Sequence, residues 1–328
     1  MQGAGNCLLQ IKSLKVTFSP EKGETVRALH GVSLAINSGE IVGILGESGC
    51  GKSTLANAIL GLLPSSAAIE GEIVFEGANL LNLSEAELQP IRGARVSLAP
   101  QEPALALNPV MTVGTQIAEV LRAHLSVGRP ESRERVRELL QEVGFDKPDQ
   151  TAGSYPHQLS GGQRQRIVLA QAIACRPLLL IADEPTSKLD ASLRADIASL
   201  FSRLHQKHGM AIVLISHDVG FVTSLSTHVA LMYAGSVVEV GSRSEVLARP
   251  LHPYTQDLLR LARSSMTVAN SSKHFPTIGG PCLDAERPAV GCHFEPYCSA
   301  RTAVCTERSP QEVNPEPSRS VSCFKYGE

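Results

Sequence analysis

Eight consecutive residues, Gly46, Glu47, Ser48, Gly49, Cys50, Gly51, Lys52 and Ser53, fit the pattern G-x-x-x-x-G-K-[ST], and Thr54 follows. Glycines let a backbone curl until successive N–H groups face a phosphate, and a helix starting at Ser53 adds the positive end of its dipole. In such a loop Lys52 reaches the β- and γ-phosphates of a nucleotide and Ser53 ligates Mg²⁺. A second acidic pair, Asp183 and Glu184, closes an apolar run, Leu178 to Ala182. Asp183 is the expected metal partner, and Glu184 the group that orients an attacking water, because phosphoryl transfer needs a positioned nucleophile more than covalent chemistry. Ser187 to Asp190 looks superficially like the N/T-K-x-D element that reads guanine, but it lies four residues after Asp183 on the same loop, and no D-x-x-G element precedes it. That reading is rejected.

Cysteines form a third group. Cys7, Cys50 and Cys175 are scattered, whereas Cys292, Cys298, Cys305 and Cys323 follow C-x5-C-x6-C-x17-C, with Cys282 as a spare. Four thiolates so close in sequence suit a soft metal centre. Zinc is the chemical competitor, although its sites more often space paired cysteines two to four residues apart, and idle buried thiols are the plain alternative.

These groups need elements to hold them. Up to about residue 250 short β-branched runs alternate with helical stretches, the text of an α/β fold. Strands are expected at Leu8 to Phe18, Ala28 to Ile36, Ile41 to Leu45, Glu72 to Phe75, Val96 to Leu98, Leu178 to Ala182, Ala211 to Ile215, His228 to Tyr233 and Ser236 to Val240. Solidly apolar runs such as Leu178 to Ala182 suit central parallel strands buried on both faces. Between about residues 84 and 160 the spacing becomes helical, an insertion into the α/β core. Ser264 to Ser272 and Ser309 to Ser320 read as linkers.

Composition narrows the partners. The 328 residues carry a net charge of −2, 4% aromatics and no Trp, which leaves neither the basic field nor the stacking platforms of a nucleic-acid binder. Hydrophobic content of 43% with 19% charged residues is that of a globular chain. No apolar run approaches the roughly 18 residues of a membrane span, and Met1 to Lys12 lacks a secretory signal, so a cytosolic, reducing setting is expected.

Leu159, Ser160, Gly161, Gly162 and Gln163, placed 23 residues before Asp183, resemble the signature of ABC-type ATPases. The segment opens a helix, a second anion-binding N-terminus with glycines for close backbone approach. The resemblance implies an ABC cassette, with a mixed sheet core, an inserted helical subdomain and, from 251 to 328, a small cysteine-containing C-terminal extension. It implies that the signature contacts the γ-phosphate held by an opposite cassette, so that two cassettes close around two ATP molecules. Gln101 looks like the Q-loop glutamine that contacts Mg²⁺, and His217 like the histidine that senses the γ-phosphate. Phe18 stands where the family stacks an aromatic on adenine, a place an edge-strand core residue would fill equally well. Asp190 falls in the D-loop, beside a Lys188 where the family usually has a small residue.

Gly61 to Pro64, Leu107 to Gly114, Tyr155 to Gln158 and above all His252-Pro253-Tyr254-Thr255 resemble the D-type ATPase of oligopeptide and dipeptide permeases, a group that also serves nickel and metallophore complexes. The resemblance implies a [4Fe-4S] cluster on Cys292, Cys298, Cys305 and Cys323. It further implies two transmembrane permease subunits, a second ATPase subunit (an F-type relative or a second copy), an extracytoplasmic solute-binding protein, and a place on the cytoplasmic face of the bacterial inner membrane. A soluble, non-transport ABC ATPase and a metal- or redox-responsive regulatory ATPase are the rival readings. The first usually brings tandem cassettes, coiled-coil insertions or a basic face.

Overall fold

The computed structural model describes residues 7–19, 25–187, 189–267 and 290–327, so Lys188, Cys282 and most of the expected 264–272 linker lie outside the described residues. Its strands are β1 (Cys7–Phe18), β2 (Val26–Asn37), β3 (Ile41–Leu45), β4 (Ala67–Phe75), β5 (Ala78–Asn79), β6 (Val96–Ala99), β7 (Leu179–Asp183), β8 (Ala211–Ser216), β9 (His228–Tyr233), β10 (Ser236–Ser242), β11 (Val313–Glu316) and β12 (Arg319–Val321). The chain divides into two compact units.

The first unit holds Asn37–Ile41 and Asn82–Ile215. Its strands β6, β7 and β8 run parallel, Ala99 opposite Ala182 and Asp183 opposite Ile215. Every residue of β7 and β8 is buried, as a parallel strand covered on both faces requires. Around them lie α1 of this unit's insertion, Val113–His124, then α2, Arg129–Glu142, α3, Gly161–Ile173, and α4, Ala191–His208. Helix α1 buries Val113, Gln116, Ile117 and Leu121, one stripe at three- and four-residue spacing, and Thr112 caps it through Thr115 N–H. The helical part begins later than residue 84, because β6 and only a four-residue helix, Glu85–Leu88, occupy the stretch before residue 100.

The second unit holds Cys7–Ile36, Val42–Leu81 and the chain from Ser216 onward. One sheet has the order β2-β1-β4-β5, β1 and β4 pairing antiparallel from Leu9 opposite Phe75 to Phe18 opposite Ala67. Strand β4 starts at Ala67, five residues before the expected Glu72, because this partner extends it. A second sheet runs β11-β12-β10-β9-β3, with β3 and β9 parallel and the rest antiparallel.

Two expected linkers are structured. The helix Pro253–Thr267 continues through the first residues of the Ser264 to Ser272 stretch. Residues Ser309 to Ser320, rich in Pro, Glu and Ser, contain β11 and most of β12, and β12 adds to β10 with Glu239 opposite Val321. A buried ion pair rather than an apolar run holds this strand: Arg319 and Glu239 are both fully buried and in contact, and the Glu239 carboxylate also accepts from the N–H groups of Leu251 and His252. Satisfying the carboxylate this way offsets part of the cost of burying the pair, although Arg319 Nε and Nη1 are buried without a hydrogen-bond partner.

Candidate functional site

The phosphate loop leaves β3 and enters a helix, Lys52–Ile59, whose first turn closes with Leu55 N–H donating to Gly51 O at 2.9 Å. Gly46 cannot carry a side chain, since a Cβ would stand 2.3 Å from the Met232 carbonyl oxygen and 2.7 Å from Cys50 Sγ. Gly51 has φ of 100° and would push a Cβ to 2.8 Å from the Ala28 oxygen. Lys52 is 5% exposed, and its ammonium donates to the carbonyls of Gly46 at 2.8 Å and Glu47 at 2.7 Å, so a full positive charge is built into the loop. The Cys50 thiol is buried beside it, raised by burial while the Lys52 charge opposes the shift.

A brace under this loop had escaped the sequence. Ala234 and Gly235 join β9 to β10 with φ of 42° and 76°, the pair of positive values a two-residue hairpin of the primed kind needs. Gly235 N–H donates to Cys50 O at 3.0 Å, and His30 N–H donates to Gly235 O at 2.9 Å. The signal was present as two strands separated by two residues, one of them Gly. The His30 ring also lies 4.5 Å from that of His293, and burial followed by the His293 charge lowers His30 to about 4.

In the same unit His217 is exposed between β8 and the helix Val219–Leu225, which Asp218 caps through Phe221 N–H. Phe18 is half-buried at the end of β1.

The first unit carries the other expected residues. Asp183 ends β7 and is 7% exposed, like Glu184. Glu184 sits at φ 47°, uncommon for a residue with a side chain, and its N–H donates to Ile215 O at 2.8 Å. Backbone strain of this kind gathers at functional positions. Ser160 caps α3 reciprocally: its Oγ accepts from Gln163 N–H, and Gln163 Oε1 accepts from Ser160 N–H at 2.9 Å. A Cβ on Gly161 would meet nothing within 4 Å, whereas one on Gly162 would touch Leu193 of α4 at 3.5 Å. Asp190 caps α4, accepting from Leu193 N–H and Ser192 Oγ, both at 2.9 Å, and those bonds lower its pKa. Gln101 is exposed just beyond β6. Leu105, 83% exposed, and Val110, 79%, follow it, and buried Gln116 fixes the intervening loop by bonding Asn108 N–H and the carbonyls of Asn108 and Met111.

The four C-terminal cysteines come together. Cys292, Cys298, Cys305 and Cys323 line one cavity of about 350 Å³, together with His252 and Phe294. Gly291, at φ 92°, allows the closure, for a Cβ there would stand 2.6 Å from the Cys305 oxygen that accepts Cys292 N–H at 2.7 Å. Phe294 is 1% exposed, its ring 5.2 Å from Tyr233 and 5.6 Å from Tyr254. The segment is therefore anchored by packing and strand pairing. A backbone N–H stabilises the thiolate at three of the sulfurs, from Phe294 at Cys292, Ala300 at Cys298 and Lys325 at Cys323, and the Thr302 hydroxyl and the Cys305 thiol lie 3.4 Å apart. Burial still pushes the Cys292 thiol up to about 11 and raises Cys298 and Cys323, and the neighbouring thiols add to it. Among the described residues no group of three or more His, Cys, Asp or Glu side chains is arranged to hold a single metal ion, and no helix is long and apolar enough to cross a membrane.

Comparison with known proteins gives concordant results. The model of the ABC transporter family matches residues 29–187, and that of the oligopeptide/dipeptide transporter C-terminal region matches residues 238–305. The dipeptide transport ATP-binding protein DppD of Bacillus subtilis is 40% identical over 320 residues, covering 97% of this chain and 94% of the relative. The oligopeptide transport ATP-binding protein OppD of Salmonella typhimurium is 38% identical over 320 residues, covering 98% and 94%. Among solved structures, the dimeric cassette MJ0796 with ADP and Pi superimposes with a TM-score of 0.65 at 29% identity, covering 72% of this chain and 99% of that one. The protein cbiO1 of Clostridium perfringens gives 0.64 at 27% identity, covering 80% and 98%.

Proposed function

Because the chain belongs to the ATP-binding proteins of oligopeptide and dipeptide ABC transporters, we propose that it hydrolyses ATP to drive import of peptides or similarly sized solutes through a membrane complex. The observation that carries the reading is the phosphate loop itself, a glycine-built turn between strand and helix with the Lys52 charge held inside it. Backbone N–H groups from Gly46 to Thr54 and Lys52 would hold the phosphates and Ser53 the accompanying Mg²⁺, for which Asp183 and Gln101 are the further partners the resemblance implies. Glu184 orients the attacking water, His217 reads the γ-phosphate, and Phe18 lies against adenine.

The signature supports a two-cassette arrangement. Ser160 and Gln163 satisfy each other, and the space beside Gly161 is open, so the start of α3 presents backbone without side-chain obstruction to a nucleotide on a second, F-type or identical, cassette. Exposed Leu105 and Val110 beyond Gln101 offer an apolar docking surface to the permease subunits, with the protein peripheral on the cytoplasmic face of the membrane. A solute-binding protein selects the cargo. In this reading residues up to about 250 form the cassette, with the helical subdomain beginning after β6 and running to about residue 160, and the extension from 251.

The extension fits a [4Fe-4S] cluster. Four sulfurs around one cavity suit a group with several thiolate attachment points, whereas a single zinc ion needs its ligands gathered on one point. Cys292, Cys298, Cys305 and Cys323 would hold it, and when bound it supplies a structural cross-link and a one-electron centre. The test of the main reading is to purify the intact complex and measure ATP turnover with and without peptide-loaded binding protein. Stimulation by peptide supports the assignment, and turnover indifferent to permease subunits and peptide refutes it.

A further inference from the structure

Besides the four thiols, one buried polar side chain lines the cysteine cavity. His252 is 1% exposed, and two contacts fix it. Its backbone N–H donates to Glu239 Oε2 at 2.9 Å, and its ring Nδ1 accepts Tyr254 N–H at 3.1 Å. Glu239 is in turn locked by Arg319, so strands β10 and β12 together set where this ring stands. A ring nitrogen that accepts a hydrogen bond carries no proton, so the proton of His252 is on Nε2. No hydrogen bond engages that N–H among the described residues. Glu295, Thr302 and Lys325 also line the cavity, but the Glu295 carboxylate is paired with Arg301 at 3.6 Å and the other two side chains are exposed, which leaves the four sulfurs as the acceptors for an N–H enclosed there.

We propose that His252 Nε2–H donates a hydrogen bond to a sulfur of the cluster held by Cys292, Cys298, Cys305 and Cys323, and so sets its reduction potential as a positioning residue outside the ligand set. The inference rests on the cluster reading above. Hydrogen bonds to cluster sulfurs are one of the protein's levers on potential. A donor favours the more electron-rich state, so His252 makes the cluster easier to reduce. Three of the four thiols already have backbone donors, and Cys305 has only a hydroxyl at 3.4 Å. His252 is the side chain through which the helix from Pro253 onward senses, or imposes, the electron count of the cavity.

The experiment uses the full chain purified anaerobically, with iron and sulfide counted and the cluster titrated under potentiometric control with electron paramagnetic resonance detection. Three proteins are compared: wild type, His252→Phe, which keeps a planar ring without the donor, and His252→Gln, which can both accept Tyr254 N–H and donate into the cavity. Wild type and both variants should hold the same iron and sulfide. Removing one such bond should lower the reduction equilibrium constant of His252→Phe about tenfold, a shift of about 59 mV downward for one electron, with His252→Gln within a third of it. An iron-loaded His252→Phe with the wild-type potential overturns the donor role, as does iron loss shared by both variants, which would make the ring a ligand or a structural filler. Wild type that binds neither iron nor sulfide overturns the cluster reading first and this inference with it.

Discussion

The phosphate loop and the cysteine cavity lie in the same compact unit, and both aim backbone N–H groups at negatively charged atoms, yet they differ in where the balancing charge comes from. The loop contains it: Lys52 is buried among the carbonyls of Gly46 and Glu47. In the cavity burial and repulsion from neighbouring thiols push the Cys292, Cys298 and Cys323 thiols toward their protonated form, and Lys325 opposes that only at Cys323. A site with its own cation can be preformed and release its ligand every cycle. A site of four thiols reaches its ionised form only when a positive centre enters, which releases protons and makes that centre a permanent part of the fold.

The comparison can be broken from either side. The largest effect belongs to Glu184→Gln, which should retain ATP binding while turnover of the complex falls about a thousandfold, within the range for losing a general base. Its iron content should be that of wild type, and equal turnover would remove Glu184 from its role. Lys52→Ala should weaken ATP binding about tenfold to a hundredfold, the worth of charge-assisted bonds to phosphate, checked by equilibrium nucleotide binding. Glu239→Gln leaves Arg319 buried without its counter-charge, and breaking such a pair costs about 3–5 kcal/mol. Thermal unfolding should show that loss, and exchange of the β12 amides should rise first.

Two of these regions were unequally legible in sequence. Gly46 to Thr54 is one contiguous stretch whose glycines and lysine state their own geometry, and Asp183 follows from an apolar run that stops at an acid. The strand runs were legible too, although β7 starts one residue later than its apolar text, leaving Leu178 39% exposed. By contrast β12 is created by pairing with β10 some 80 residues away and by Arg319 meeting Glu239, and β11 by pairing with β12, none of which a local pattern announces. The left-handed backbone of Glu184 and the brace from Gly235 to Cys50 are likewise tertiary facts. Cysteine spacing foretold the gathering of four thiols, but the donors around the sulfurs and the ring of His252 needed the folded chain.

Smaller effects sharpen the contrast. Without metal, the Cys292, Cys298 and Cys323 thiols have pKa values raised above their unfolded values near 9, Cys292 to about 11. Unfolding therefore releases protons between those limits, so the metal-free extension should be stable below pH 9 and lose stability as pH rises toward 11, while the metal-loaded form should not. Proteolysis of the extension across that range checks the sign. Gly161→Ala should leave the stability of the isolated chain within about 0.5 kcal/mol of wild type, since no neighbour crowds that position, yet lower ATP turnover once cassettes must close on each other.

The central claim is that ATP hydrolysis by this chain is transport work done in a complex, and it is tested most directly by measuring ATP turnover in membrane vesicles that hold the permease subunits and both cassettes. The account predicts turnover that rises when peptide-loaded binding protein is supplied and collapses with Glu184→Gln in this chain. Full turnover by the isolated chain as a monomer, first order in its concentration and unchanged by permease subunits or peptide, would contradict it.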